Sequence, residues 1–165
     1  MNFISIDFAI FLPIIFSLYW FAANKSLKTQ NLLILISSYF FYGWWDWRFL
    51  SLIIFSTIVD FTIGVKLNKE RNKFKRLLFL WTSIIVNIGL LGFFKYYNFF
   101  LDNFISAFTL FGFNMNPQSL NILLPVGISF YTFQTLSYTI DVYNNKFKSK
   151  KNLIAFSAFV SFFPQ

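Results

Sequence analysis

Five apolar runs dominate the sequence, at 4–23, 31–47, 49–67, 77–94 and 122–143. A helix that crosses a bilayer needs about 20 mostly apolar residues, because the hydrocarbon core is about 30 Å thick and each residue advances about 1.5 Å. By that length test the five runs read as spans. The second is the shortest in apolar terms, but it closes on Gly43-Trp44-Trp45-Asp46-Trp47-Arg48, and tryptophan is favoured at the level of the lipid headgroups. That cluster marks the outer interface between spans two and three. The stretch 96–120 is apolar from Phe99 to Phe113 apart from Asp102 and Asn103, and is expected to lie in the interface or re-enter from one side. From Leu153 to Phe163 the chain turns apolar again, and eleven such residues reach only about 16 Å as a helix, roughly half a crossing. The pattern predicts an incomplete span from 153 and an all-α fold, a partial polytopic transmembrane helical bundle. One membrane domain covers 1–165, with no internal repeat or low-complexity linker.

Composition supports lipid as the solvent: 57% of the 165 residues are apolar and 12% are charged, where a soluble domain carries about a quarter charged. Lys and Arg total 14 against 6 Asp and Glu, a balance that in a soluble protein would point to nucleic acid. Position argues otherwise. Most of the basic residues cluster at Lys25 and Lys28, at Lys66 to Arg76, and at Lys146 to Lys151. Each cluster abuts an apolar run, as cytoplasmic flanks do under the positive-inside rule, so the partner is the lipid bilayer and not nucleic acid.

The first span has only Asp7 before its positive flank. A cleaved signal peptide carries its positive charge ahead of the apolar core, so the order here predicts a retained span with the amino terminus extracytoplasmic. The charge count also favours a non-crossing 96–120, since a crossing there would put the lysines of 146–151 outside.

There is no His and no Cys. That removes disulfides, thiolate nucleophiles, Cys/His zinc sites and imidazole bases supplied by this chain. No paired carboxylates, phosphate-cradling loop or nucleophile elbow appears either. Neither a catalytic, a cofactor-binding nor a metal site is expected within these residues.

Polar residues inside the apolar runs are the remaining candidates, because an ionisable group at membrane depth faces protein or a water-filled cavity. Asp60 shares a helix face with Ser56 and Gly64, one turn to either side. That face suits either tight packing on a neighbouring helix or a substrate or proton path. In LLPVGISFYTFQTLSYTIDVY, Leu123 to Tyr143, Pro125 suits a first helical turn and Gly127 permits close backbone approach. Gln134, Ser137, Tyr138 and Asp141 recur there at helical spacing, so they line a tunnel or pack against another helix.

That same stretch, 124–143, resembles the signature of the membrane-bound O-acyltransferases, in the bacterial branch that acetylates cell-surface polymers. SSYFFYGWWDWRFL at 37–50, FFKYYNFF at 93–100 and SFFPQ at 161–165 support it in the same order. The resemblance implies an enzyme that moves an acyl group, usually acetyl, from a cytoplasmic donor such as acetyl-CoA or another activated acyl carrier to a hydroxyl of a polysaccharide acceptor such as alginate. It also implies a ring of tilted helices around a central tunnel, an essential His in the carboxy-terminal half, and an extracytoplasmic esterase-like partner that relays the acyl group. No residue here matches the His motif, so 1–165 is expected to correspond to the amino-terminal part of such an enzyme and to be inactive alone. A small polytopic transporter or scaffold using Asp60 and the 134–141 face is the competing reading. A basic membrane-surface protein on anionic lipid accounts for the lysines but not for the span lengths.

Overall fold

A computed structural model describes residues 5–23, 26–110 and 127–163. They form six α-helices: α1 (Ile6–Ser17), α2 (Leu27–Trp45), α3 (Trp47–Lys69), α4 (Lys73–Leu110), α5 (Ile128–Tyr143) and α6 (Leu153–Val160). Most starts are fixed by a short polar side chain that takes up a free backbone N–H. Ser5 Oγ accepts from Phe8 N at 3.2 Å, Ser26 Oγ from Thr29 N at 3.2 Å, Asn72 Oδ1 from Phe74 N at 2.9 Å and Asn152 Oδ1 from Ile154 N at 3.0 Å. After α1 the helix widens over Leu18–Ala22, where Ala23 N–H reaches back to Leu18 O at 2.9 Å.

Asp46 alone separates α2 from α3. Its backbone is extended, with φ −159° and ψ 120°, which breaks the helix. Its N–H closes α2 on Tyr42 O at 3.2 Å while its carboxylate opens α3 by accepting Arg48 N–H at 2.8 Å. One residue therefore serves both ends, and Trp44 and Trp47 stand exposed on either side of it.

Gly127 precedes α5 with φ 78°, a backbone state that side chains disfavour. Among the described residues a Cβ placed there would meet nothing within 4 Å. Its glycine serves the left-handed turn.

Trp47–Lys69 and Lys73–Tyr97 are long and apolar enough to cross a membrane, and Ile6–Ala22 is a shorter apolar helix. Helix α4 runs unbroken through 96–110, the first part of the stretch expected to be interfacial, and 111–120 lies outside the described residues, as do 122–126. At about 57 Å, α4 is nearly twice the thickness of a hydrocarbon core.

Helix α3 is the hub, packed against α2, α4, α5 and α6. The apolar core is built by Ile53, Ile63 and Leu67 of α3, Ile128, Tyr131, Tyr138 and Val142 of α5, and Phe156 and Val160 of α6. Gly64 makes the α3–α5 approach possible, since a Cβ there would fall 2.7 Å from the Tyr138 hydroxyl oxygen. At the periphery Phe8 and Phe11 of α1 meet Phe41 and Phe163, with Phe11 and Phe163 ring centres 5.3 Å apart. Outward-facing side chains are themselves apolar, among them Phe16, Phe21, Trp81 and Ile85, as a lipid-facing surface demands.

Candidate functional site

The candidate polar residues fall into two places. Asp60 belongs to a network that joins α3, α4 and α5. Ser83 Oγ donates to Asp60 Oδ1 at 2.5 Å, and Asn87 Nδ2 donates to Oδ2 at 2.8 Å and Oδ1 at 3.0 Å. Thr135 Oγ1 reaches Asn87 Oδ1 at 3.2 Å and the Thr132 carbonyl at 3.1 Å. All four side chains are fully buried. Hydrogen bonds to a carboxylate are worth about 1.5–3 kcal/mol each when made and cost more when a buried partner is left unpaired. This arrangement fixes three helices in register, and the partners of Asp60 are neutral hydroxyl and amide groups.

Ser83 and Asn87 were not selected from sequence, although they stand four apart in the 77–94 run. Their signal was that spacing: two polar side chains one turn apart within an apolar helix share one face. The one-face pattern of Ser56, Asp60 and Gly64 is also present, with all three buried on α3. Thr139, one turn after Thr135, is buried with its hydroxyl unpartnered among the described residues.

Gln134, Ser137, Tyr138 and Asp141 lie together on the wall of a different feature, an open cleft of about 980 Å³ between α2, α5, α6 and the 144–152 connection. Phe130, Phe133, Phe147, Phe156 and Phe159 line it together with Lys148 and Lys150. Gln134 Nε2 donates to Phe159 O at 3.0 Å, while its Oε1 is buried and unpartnered among the described residues. Asp141 pairs with Lys146 at 3.1 Å. Tyr138 anchors the connection: its hydroxyl accepts the Lys150 N–H at 3.2 Å, and its ring centre lies 4.6 Å from that of Phe156 and 5.7 Å from that of Phe147. Asp60 does not reach this cleft.

Arg76, read from sequence only as one of a basic cluster, has a further task. Nη1 donates to Leu67 O at 2.5 Å and Glu70 O at 3.3 Å, at the end of α3. Nη2 donates to Tyr143 O at 2.5 Å and Asn145 Oδ1 at 3.1 Å, at the end of α5. Its guanidinium also lies 5.5 Å from the Tyr143 ring centre. The last carbonyls of a helix are unpaired and carry partial negative charge, and one planar cation satisfies two helices. This bridge brings the 66–76 and 144–151 clusters to the same end of the bundle. Lys28 belongs there too, since Asn31, one turn further along α2, shares the cleft with Lys148 and Lys150. At that end Glu70 accepts the backbone N–H of Asn72 and that of Arg71, which with Lys75 holds its carboxyl below the usual glutamate range.

Among the described residues no three His, Cys, Asp or Glu gather into a cluster that could hold a metal ion. The arrangement as a whole provides a hydrogen-bonded helix junction and an aromatic cleft with two lysines on its wall.

No family model and no solved structure matches the chain. Curated proteins do. It is 42% identical over 156 residues to the protein named probable alginate O-acetylase AlgI of Pseudomonas syringae pv. tomato, covering 93% of this chain and 29% of that one. The protein of the same name in Pseudomonas aeruginosa is 42% identical over 159 residues, with 94% and 29% covered. The peptidoglycan O-acetyltransferase of Helicobacter pylori is 31% identical over 182 aligned positions, with 94% and 33% covered. The chain thus spans about three-tenths of the length of these relatives. Over most of its length the chain is thus similar to part of the alginate and peptidoglycan O-acetyltransferases, and its two long apolar helices suit a membrane protein.

Proposed function

We propose that this chain is part of a multi-pass inner-membrane enzyme that transfers acetyl from a cytoplasmic activated donor, acetyl-CoA or another acyl carrier, to hydroxyls of an extracytoplasmic polysaccharide such as alginate. The observation that carries the reading is the 42% identity to a protein named as an alginate O-acetylase, sustained over 93% of the chain. The convergence of three basic segments at one end of the bundle supports placing that end in the cytoplasm and the amino terminus outside. It also favours keeping 96–120 on the outer side.

Acyl transfer to a sugar hydroxyl needs a base for the hydroxyl proton and donors for the developing oxyanion. The chain has no His, so that base is not an imidazole of these 165 residues. In this reading Asp60 is a helix-packing residue, and α3, α4 and α5 contribute a stiff wall to the enzyme. An extracytoplasmic esterase-like protein that accepts the acetyl group fits as partner.

Disruption of the encoding gene, followed by measurement of ester-linked acetate on the extracellular polysaccharide, tests the activity. At least a tenfold loss, restored by the intact gene, is expected; unchanged acetate sinks the reading. Orientation has its own test, because the absence of Cys makes single-cysteine variants clean reporters. A thiol at Lys148→Cys should label only from the cytoplasmic face and one at Trp44→Cys only from outside, and the reverse pattern overturns the topology.

A further inference from the structure

The cleft between α2, α5 and α6 changes character along its length. Phe130 and Phe133 of α5 are more than half exposed and, with Phe159 of α6, form an apolar trough. Ser137 follows one turn nearer the basic end, and Lys148 and Lys150 close it there. Among the described residues Asp141 is the one carboxylate on the wall, already paired with Lys146, and no ion pair forms at Lys148 or Lys150.

From Phe130 to Asp141 the helix rises about 16 Å, close to the roughly 15 Å of one leaflet's hydrocarbon. Aromatic rings line the cleft along its length, Phe156 and Phe147 beside Tyr138 included, while the ammonium groups stand only at the Lys148 and Lys150 end, an arrangement that suits the acyl chain and the phosphate of a single lipid. A volume of about 980 Å³ has room for one long amphiphile, being at the upper end of ligand pockets at about 300–1,000 Å³. Basic pockets between helices at the cytoplasmic face are suited to anionic headgroups.

We propose that this cleft binds one anionic phospholipid, with an acyl chain against Phe130, Phe133 and Phe159, the glycerol esters beside Ser137, and the phosphate between Lys148 and Lys150. The site is independent of acetyl transfer and is read out without it.

The test is native mass spectrometry of the full chain released from micelles doped with equal amounts of dioleoyl phosphatidylglycerol and dioleoyl phosphatidylcholine. Near-surface lysines each favour anionic lipid by about 5-fold, so the pair should give a preference of about 25-fold. Lys148→Gln with Lys150→Gln should abolish it; the control pair Lys73→Gln with Lys75→Gln, at the same end but outside the cleft, should leave it intact. Phe133→Ser should lower retention of both lipids several-fold. Millimolar inorganic phosphate should not displace the lipid. Equal retention of the two lipids, an equal loss in the control pair, unchanged retention in Phe133→Ser, or displacement by inorganic phosphate each overturns the proposal.

Discussion

Removing Arg76 should cost the bundle far more than removing any other residue of the basic clusters, because its guanidinium ends two helices at once. The two bonds at 2.5 Å, to Leu67 O and Tyr143 O, are the strong ones. A charged donor contributes about 1.5 kcal/mol net to each, the low end of its range being appropriate where water can return to the carbonyls. Neutralising the negative ends of α3 and α5 adds about 0.5 kcal/mol apiece. The longer contacts, to Glu70 O at 3.3 Å and Asn145 Oδ1 at 3.1 Å, are left out of the sum. Arg76→Ala is therefore expected to lose about 3–4 kcal/mol. Arg76→Lys should lose about half of that, since a single ammonium cannot reach both helix ends with a rigid fork. Lys73→Ala, which removes the same charge nearby, should stay within about 0.5 kcal/mol of the parent. Reversible unfolding in mixed micelles, followed by tryptophan fluorescence, gives the three differences. If Arg76→Ala matches Lys73→Ala, or Arg76→Lys restores full stability, the guanidinium supplies only charge and the two-helix reasoning is wrong.

The Asp60 network makes a reciprocal prediction: Asp60→Asn sets one amide NH₂ against another and should cost about 2–3 kcal/mol, and adding Asn87→Asp should recover at least half of it in the same assay. No recovery in the double variant would show that the two side chains do not couple. Gly64→Ala brings a methyl group to 2.7 Å from the Tyr138 hydroxyl oxygen and is expected to cost about 1–3 kcal/mol as overpacking. Tyr138→Phe should relieve it only in part, because the ring carbon Cε1 also lies within 2.8 Å, and full relief would count against the packing account. Glu70 sets a pH dependence at the α3–α4 turn. Its carboxyl is held low chiefly by the Asn72 N–H, so the stabilisation is fully present above the ordinary glutamate pKa and lost only as pH falls through the lower, folded value. Hydrogen exchange at the Arg71 and Asn72 amides should stay slow until below the ordinary glutamate range and lose this dependence in Glu70→Gln.

Helix content was legible because runs of apolar residues leave the backbone no partner but itself in lipid. The one-face spacing of Gln134, Ser137, Tyr138 and Asp141 likewise needs only helical geometry, and the four do share one cleft. What periodicity could not supply was the identity of partners across helices. Asp60 meets Ser83 and Asn87 at sequence separations of 23 and 27, and Arg76 meets Tyr143 at 67. Such distances are set by which helices pack side by side, which no local pattern encodes. Arg76 was hidden for a second reason: among neighbouring lysines a structural cation looks like one more topological charge. The length of α4 was obscured by Asp102 and Asn103, which interrupt the apolar run without stopping the helix.

The junction at Asp46 bears on biogenesis. With one extended residue between α2 and α3, neither helix can settle across a bilayer without turning the chain straight back into the other. The pair would enter the membrane as a single hairpin, its tip carrying one capped carboxylate and a collar of indole rings. A protease working from that side would find no strand of chain to grip at this turn, whereas the lysine-bearing connection at the opposite end would be open to it.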